Sequence, residues 1–120
     1  MQIIKESNFT TKNLKSHIDK HHDQYENDIR FKDAKTDEDF ARIYDTIGDR
    51  LSKMKVGKSD SRGRFVGFID KQNRRVKFDK ATGDFVVYSG PSTISLHKKT
   101  VKQYKNILRR DFKSEFPYNK

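Results

Sequence analysis

Two stretches in the first half of the chain carry apolar and aromatic side chains at the three- and four-residue spacing of an amphipathic helix. In residues 11–25 the recurring positions are Leu14, His17, Ile18, His21, His22 and Tyr25. In residues 36–54 they are Phe40, Ile43, Tyr44, Ile47, Leu51 and Met54. Thr10 or Thr11 caps the first helix, and Thr36 precedes three acidic residues, which the helix dipole favours in a first turn.

The second half of the chain changes to the two-residue alternation of β-strands. Residues 55–63 hold glycines, serines and alternating charges, so they predict a loop. Four short strands follow, at residues 65–69, 75–78, 85–88 and 93–97. Gly83 suits a turn position with positive φ. A last amphipathic stretch, with Thr100 as its cap, predicts a C-terminal helix over about 100–113.

These elements predict a single α+β domain over residues 1–120, with N-terminal helices packed on a four-stranded antiparallel meander sheet and a C-terminal helix. The helical part covers about 11–54, the loop 55–63 and the sheet about 64–97. If the helices gather on one face of the sheet, the other face is open to solvent. The side chains that alternation places on that open face are Arg75, Lys77, Thr93, Ser95 and His97.

Composition and charge exclude several classes of protein. The 120-residue chain has no cysteine, so a disulfide framework, a cysteine-ligated zinc site and a thiol nucleophile are excluded. It has no apolar stretch of membrane-spanning length, so we expect no membrane partner. The net charge is +10, and residues 53–80 alone carry 10 basic and 3 acidic side chains. Since the basic runs alternate with aromatic residues, we expect a polyanionic partner, most simply RNA.

Three of the four histidines lie within six residues of the first predicted helix. His17 and His21 are four residues apart and share one side, whereas His22 lies about 100° further round. A zinc-protease motif would place Glu where this chain has Ile18. We therefore predict no metal and no cofactor. Two interpretations remain open: packing of these histidines at the helix–sheet boundary, and acid–base chemistry.

Metal-free cleavage of RNA needs a base for the ribose 2′-OH, an acid for the departing 5′-oxygen and cations for the phosphate. Histidine suits both proton roles, because its ordinary pKa lies near neutral pH. Lys20 favours the neutral, basic form of His21, and His97 is the partner acid if the first helix crosses the end of the last strand. The candidate catalytic residues are His17, Lys20, His21, Ser95 and His97, and the candidate RNA-binding residues are His22, Arg75, Lys77, Thr93 and Lys98.

The order of these motifs resembles a group of bacterial toxins. The motifs are His17-Ile-Asp-Lys-His21 in the first helix, Thr82-Gly83 in a turn between strands, and a closing strand Thr93-Ile-Ser-Leu-His97. They are similar to the C-terminal ribonuclease domains of polymorphic and contact-dependent growth inhibition toxins. These belong to the barnase–EndoU–colicin–RelE group, and the colicin D type is the nearest. The likeness covers roughly residues 12–99.

Carried over by position, the group's helix histidine and lysine fall on His21 and Lys20, with His17 as a second candidate. The hydroxyl of its last strand falls on Ser95 or Thr93. The sequence His-Asp-Gln-Tyr after His21 departs from the Gly-containing continuation of the group, so His22 is an alternative to His21.

The resemblance implies an endonuclease that cuts tRNA without metal, by attack of the 2′-OH to give a 2′,3′-cyclic phosphate. It also implies delivery from a secreted or surface effector, action in the target-cell cytoplasm and neutralisation by an acidic immunity protein. The initial Met and the missing secretion signal predict an excised domain of a longer effector. Two alternatives stay open: a non-catalytic basic nucleic-acid-binding protein, and an interaction module that meets an acidic protein.

Overall fold

The computed structural model describes residues 11–56, 63–90 and 92–116. The predicted Thr10 cap, the Leu14 side chain and residues 57–62 of the predicted loop lie outside this description. The helices are α1 (Thr11–Tyr25), α2 (Asp37–Lys53) and α3 (Val101–Asp111), and a short 3-10 turn covers Ile29–Phe31. The strands are β1 (Phe65–Asp70), β2 (Arg75–Asp79), β3 (Asp84–Ser89), β4 (Ser92–Lys98) and β5 (Phe112–Ser114).

The α+β class and the antiparallel meander are confirmed. The strand order is β4-β3-β2-β1-β5, and every neighbouring pair is antiparallel. The caps follow the prediction, because the Thr36 and Thr100 side chains each accept a hydrogen bond from a backbone N–H of the first turn. Gly83 has a φ of +84°, as its turn requires. The predicted C-terminal helix ends at Asp111 instead of about 113, and the residues after it form β5.

Helices cover both faces of the sheet, so the prediction that they gather on one face is wrong. One buried cluster packs α1 and α2 on the sheet through Tyr25, Phe31, Phe40, Tyr44, Ile47, Leu51, Val86, Tyr88 and Leu96. A second buried cluster lies on the opposite face, with α3, and comprises Val66, Phe68, Val76, Phe78, Phe85, Val87 and Tyr104. There the Tyr104 ring stacks on that of Phe78, with centroids 4.7 Å apart. Neither face is an open platform.

Lys77, predicted to be displayed to solvent, is buried beneath the end of α2. Only 1% of the surface of this residue is exposed to solvent. Its Nζ donates hydrogen bonds to the carbonyl oxygens of Ser52, at 2.6 Å, and Met54, at 2.8 Å. These carbonyls end the helix and have no intrahelical donor, so the lysine acts as their cap. The predicted solvent-facing position of Lys77 is therefore wrong.

The register also separates the residues that were expected to share one open face. Lys77 pairs with Val86, on the side of α1 and α2, whereas His97 pairs with Phe85, on the side of α3. Thr93 is only 3% exposed, so its predicted display is wrong as well. Alternation predicts which residues of one strand share a face. Which residues of different strands share a face depends also on the β-bulge between Val87 and Tyr88, and their exposure depends on the helices that cover both faces.

Candidate active site

Helix α1 lies along the edge strand β4 and is attached to the sheet at three points. The Gln24 side-chain oxygen accepts a hydrogen bond from the backbone N–H of Lys98 at 2.9 Å. The Tyr25 hydroxyl donates to a carboxylate oxygen of Asp84 at 3.2 Å. Further up the helix, His17 hydrogen-bonds to the backbone of Ile94. These contacts fix which side of α1 faces β4.

That placement brings three imidazole rings into a row, which we call the imidazole cluster: His17, His21 and His97. The His17 and His21 rings stack with centroids 5.9 Å apart and planes inclined by 8°. The His21 and His97 rings stack at 4.9 Å and 25°. Helical spacing alone brings the first two together. The His97 ring joins them because α1 crosses the end of β4, as the sequence analysis required for His97 to act with His21.

Ser95 holds one end of the cluster. Its Oγ lies 2.9 Å from Nδ1 of His97, within hydrogen-bond distance. The two residues are on the same side of β4, two positions apart. The Phe85 ring also lies against His97, at 5.2 Å between centroids. His97 is therefore held by a hydroxyl and an aromatic wall, while His21 is the neighbour that covers it.

Burial and positive neighbours keep the cluster uncharged. Burial, with smaller contributions from Lys99 and His21, lowers the pKa of His97 to about 3. Burial, then His17, Lys20 and Lys99, lowers the pKa of His21 below its ordinary value. The pKa of His17 is lowered too, mainly by burial. At neutral pH the imidazoles are neutral bases beside two lysine cations.

In the free protein at neutral pH, His97 is therefore a neutral imidazole and lacks the second ring proton that a general acid would donate. A bound phosphodiester would add negative charge beside the rings and raise their pKa. The acid assigned to His97 therefore depends on substrate, whereas the basic role of His21 is already present.

The other predicted site residues lie at different distances from the cluster. His22 is on the neighbouring side of α1, where its ring stacks on Phe40 at 4.4 Å. Lys98, next to His97, donates from Nζ to Asp28 at 2.8 Å. Arg75 is half-buried, with its guanidinium 5.6 Å from the Phe116 ring. His22 and Lys98 are therefore next to members of the cluster in the chain, but the side chains of both make their contacts elsewhere.

The geometry of the imidazole cluster does not suit the binding of a metal ion. Rings stacked nearly parallel direct their nitrogen atoms side by side, whereas a zinc ion needs lone pairs that converge on one point. In residues 11–56, 63–90 and 92–116, three ligand-type groups within 4.8 Å of one another occur at His22, Asp23 and Glu26. All three are exposed, two on α1 and Glu26 directly after it, as is common for acidic groups without an ion.

Sequence reasoning left two supports of the site unassigned. Lys99 adds positive charge beside His21 and His97, and the basic pair Lys98-Lys99 after the last strand was the signal for it. A partly buried ion network lies beneath the turn after α1. In it, Arg30 bonds both Asp28 and Asp84, at 2.7 and 2.8 Å. Nothing in the sequence pairs these distant residues, since only the fold brings β3 to the turn.

Comparison with known proteins adds no relative: no family model, no curated protein and no solved structure matches this chain. Within the described ranges, no helix has both the length and the apolar character that a membrane crossing needs. The site must therefore be interpreted from its own geometry.

The half-buried, neutral His97 predicts acid sensitivity of the fold. Its pKa of about 3 lies below the ordinary 6.5, so the unfolded state takes up a proton first as the pH falls. We expect the free energy of unfolding to drop by about 2 kcal/mol between pH 6.5 and 4.5, and less in His97→Gln. Urea unfolding at each pH measures the free energy of unfolding. The lowest pH is 4.5, because below it Asp28 and Asp79, whose pKa values are also lowered, contribute to the pH dependence of stability. Equal slopes in both proteins would contradict it.

Proposed function

We propose that this protein is a metal-independent RNA endonuclease, with the imidazole cluster as its catalytic centre. The observation that carries the proposal is the stacking of His21 on His97, 4.9 Å apart, with Ser95 bonded to His97. Residues from a helix and from the last strand of the meander thus meet at one edge of the sheet. Paired imidazoles beside lysine cations are the groups that transfer protons to and from a phosphodiester.

In the proposed reaction, neutral His21 takes the proton of the ribose 2′-OH, and the 2′-oxygen attacks the adjacent phosphorus. The bond to the 5′-oxygen breaks, and that oxygen receives a proton from an imidazolium of the cluster. The products are a 2′,3′-cyclic phosphate and a free 5′-hydroxyl. Lys20 and Lys99 balance the charge on the phosphate, since both are close enough to lower the pKa of His21.

The imidazolium forms as substrate binds. A phosphodiester beside His21 and His97 offsets the positive field of the lysines, and one ring then takes up a proton from solvent. Since His21 is the base, we assign the acid to His97, whose Nδ1 lies 2.9 Å from the Ser95 Oγ. Its pKa, about 3 in the free protein, must then rise towards neutral when the phosphate binds. Ser95 accordingly orients the acid.

The finer proposals rest on the resemblance. They are that the substrate is tRNA, that the chain is a toxin domain delivered from a secreted or surface effector into a target-cell cytoplasm, and that an acidic immunity protein neutralises it. The net charge of +10 is compatible with both an RNA substrate and an acidic inhibitor.

The test is incubation of the purified protein with total RNA in EDTA. We expect discrete fragments that end in 2′,3′-cyclic phosphate, and discrete tRNA fragments would support the finer proposal. Absence of cleavage both in EDTA and with added divalent metal would leave a non-catalytic nucleic-acid-binding protein as the alternative. Cleavage only with metal would contradict the proposed mechanism.

A further inference from the structure

A groove of about 610 Å³ lies between α2 and the end of the sheet at which β1 begins, away from the imidazole cluster. This volume is within the range of small-ligand sites. Its apolar lining comes from one side of α2 and from the first residue of β1: Ile43, Ile47, Leu51, Met54 and Phe65. An occupant therefore needs an apolar surface of its own.

Arginines surround this apolar lining. Four of them line the groove: Arg30, Arg42, Arg50 and Arg64. Arg42 and Arg50 are eight residues apart on α2, with Thr46 between them, so they follow one line along the helix. The groove's two carboxylates, Asp79 and Asp84, are bonded to Arg64 and Arg30. Four arginines against two aspartates leave the lining residues net positive, and two further carboxylates outside the lining, Asp28 and Asp39, bond Arg30 and Arg42.

Arg50 is the least committed of these cations. It is exposed, and the described part of the chain shows no ion pair to it, whereas Arg42 bonds Asp39 at 2.8 Å. Opposite, the Arg64 guanidinium lies 4.8 Å above the Phe65 ring. A guanidinium fork suits phosphate, and an arginine–aromatic surface suits a stacked base. A nucleotide combines both features, which a simple anion lacks.

The groove is connected to the imidazole cluster by charged side chains at one end of the sheet. Lys98, beside His97, bonds Asp28, and Asp28 bonds Arg30 in the groove lining. Strand β4 is three strand spacings from β1, which is roughly 14 Å across the sheet. A single RNA strand of a few nucleotides therefore spans both places.

We propose that this groove holds a nucleotide of the RNA strand that flanks the cleaved bond, with Arg50 bound to its phosphate. The inference rests on the proposed function, because it assigns a second binding subsite to the same substrate. It predicts that long RNA substrates gain affinity from the groove and that a dinucleotide does not.

Arg50→Ala tests this with 2′-O-methyl oligonucleotides, which lack the attacking hydroxyl and stay intact. We expect the octanucleotide to bind about tenfold more weakly, with its salt slope reduced by about 0.7. Dinucleotide binding, followed by NMR titration, should stay within twofold. The matched control is Arg109→Ala, an exposed arginine on α3, for which we expect less than a twofold change with either ligand.

Other results overturn the inference. An octanucleotide loss no larger in Arg50→Ala than in Arg109→Ala, or an equal loss for the dinucleotide, would remove the groove from RNA binding. An acidic peptide that protects the α2 amides while the octanucleotide does not would assign the groove to a protein partner instead. If the unmodified protein fails to cleave RNA in the EDTA assay, the proposed function is wrong. If it cleaves RNA and Arg50→Ala binds like the Arg109→Ala control, only the groove proposal is wrong.

Discussion

His21→Ala is expected to lower the rate of RNA cleavage in EDTA by at least 100-fold, in keeping with the rough 10²–10⁴ contributed by a positioned acid–base group. His21 is the central ring of the imidazole cluster, stacked on both His17 and His97. Its lowered pKa makes it a neutral base at neutral pH, and alanine leaves no proton acceptor at that place. Single-turnover cleavage of a defined RNA measures the loss, and circular dichroism checks that the fold persists.

The residue His22 provides the comparison for this experiment. Its ring stacks on Phe40, outside the cluster, so His22→Ala should reduce the rate by far less than His21→Ala. A loss in His22→Ala as large as that in His21→Ala would reassign the base to the neighbouring side of α1. Unchanged rates in both His17→Ala and His21→Ala would remove the helix from the mechanism.

Lys77→Ala should be the most destabilising lysine substitution, at a cost of about 2–4 kcal/mol in the free energy of unfolding. The change removes a buried side chain and leaves the carbonyl oxygens of Ser52 and Met54 without their donor. The matched control is Lys102→Ala, an exposed lysine on α3, which should change stability by less than about 0.5 kcal/mol. Urea unfolding measures both, and equal effects would contradict the capping role.

The charge of Lys77 gives a second readout that does not depend on packing. Burial lowers its pKa to about 8, from 10.5, despite the favourable carbonyl oxygens. Above pH 8 the folded state therefore releases the proton before the unfolded state does, and stability rises with pH. We expect a gain of about 1–2 kcal/mol between pH 8 and 9.5 that Lys77→Met lacks. The upper limit of pH 9.5 excludes the titration of Tyr88. Burial raises the pKa of that residue, so above pH 10 it lowers stability as the pH rises.

Local patterns were sufficient for most of the elements. Helix α1 begins and ends where the sequence predicted, and the four meander strands each lie within a residue or so of their predicted bounds. Helical spacing, caps and turn residues act within a few positions of one another, so they can be recognised without a fold. β5 was missed because its pairing partner, β1, lies more than forty residues earlier in the chain.

The candidate site was predictable only in part. The sequence placed His17 and His21 on one helix side, and it placed Ser95 and His97 on one side of a strand. It did not fix that Lys77 would be turned away from them, because a lysine in an alternating strand is ordinarily exposed. The cap on α2 keeps that lysine inside, and this depends on where α2 ends over the sheet.

By itself, the sequence determined the α+β class, the order of the three helices and the four meander strands, the absence of thiol chemistry and the positive charge of the back half. Tertiary structure alone decided that α1 lies along β4, that both faces of the sheet are covered and that three imidazoles meet at its edge. The physical reason is that periodicity records which side of an element is apolar, not which element covers it. Coverage follows from packing among residues far apart in the chain, and the neutral state of the imidazoles follows from that burial.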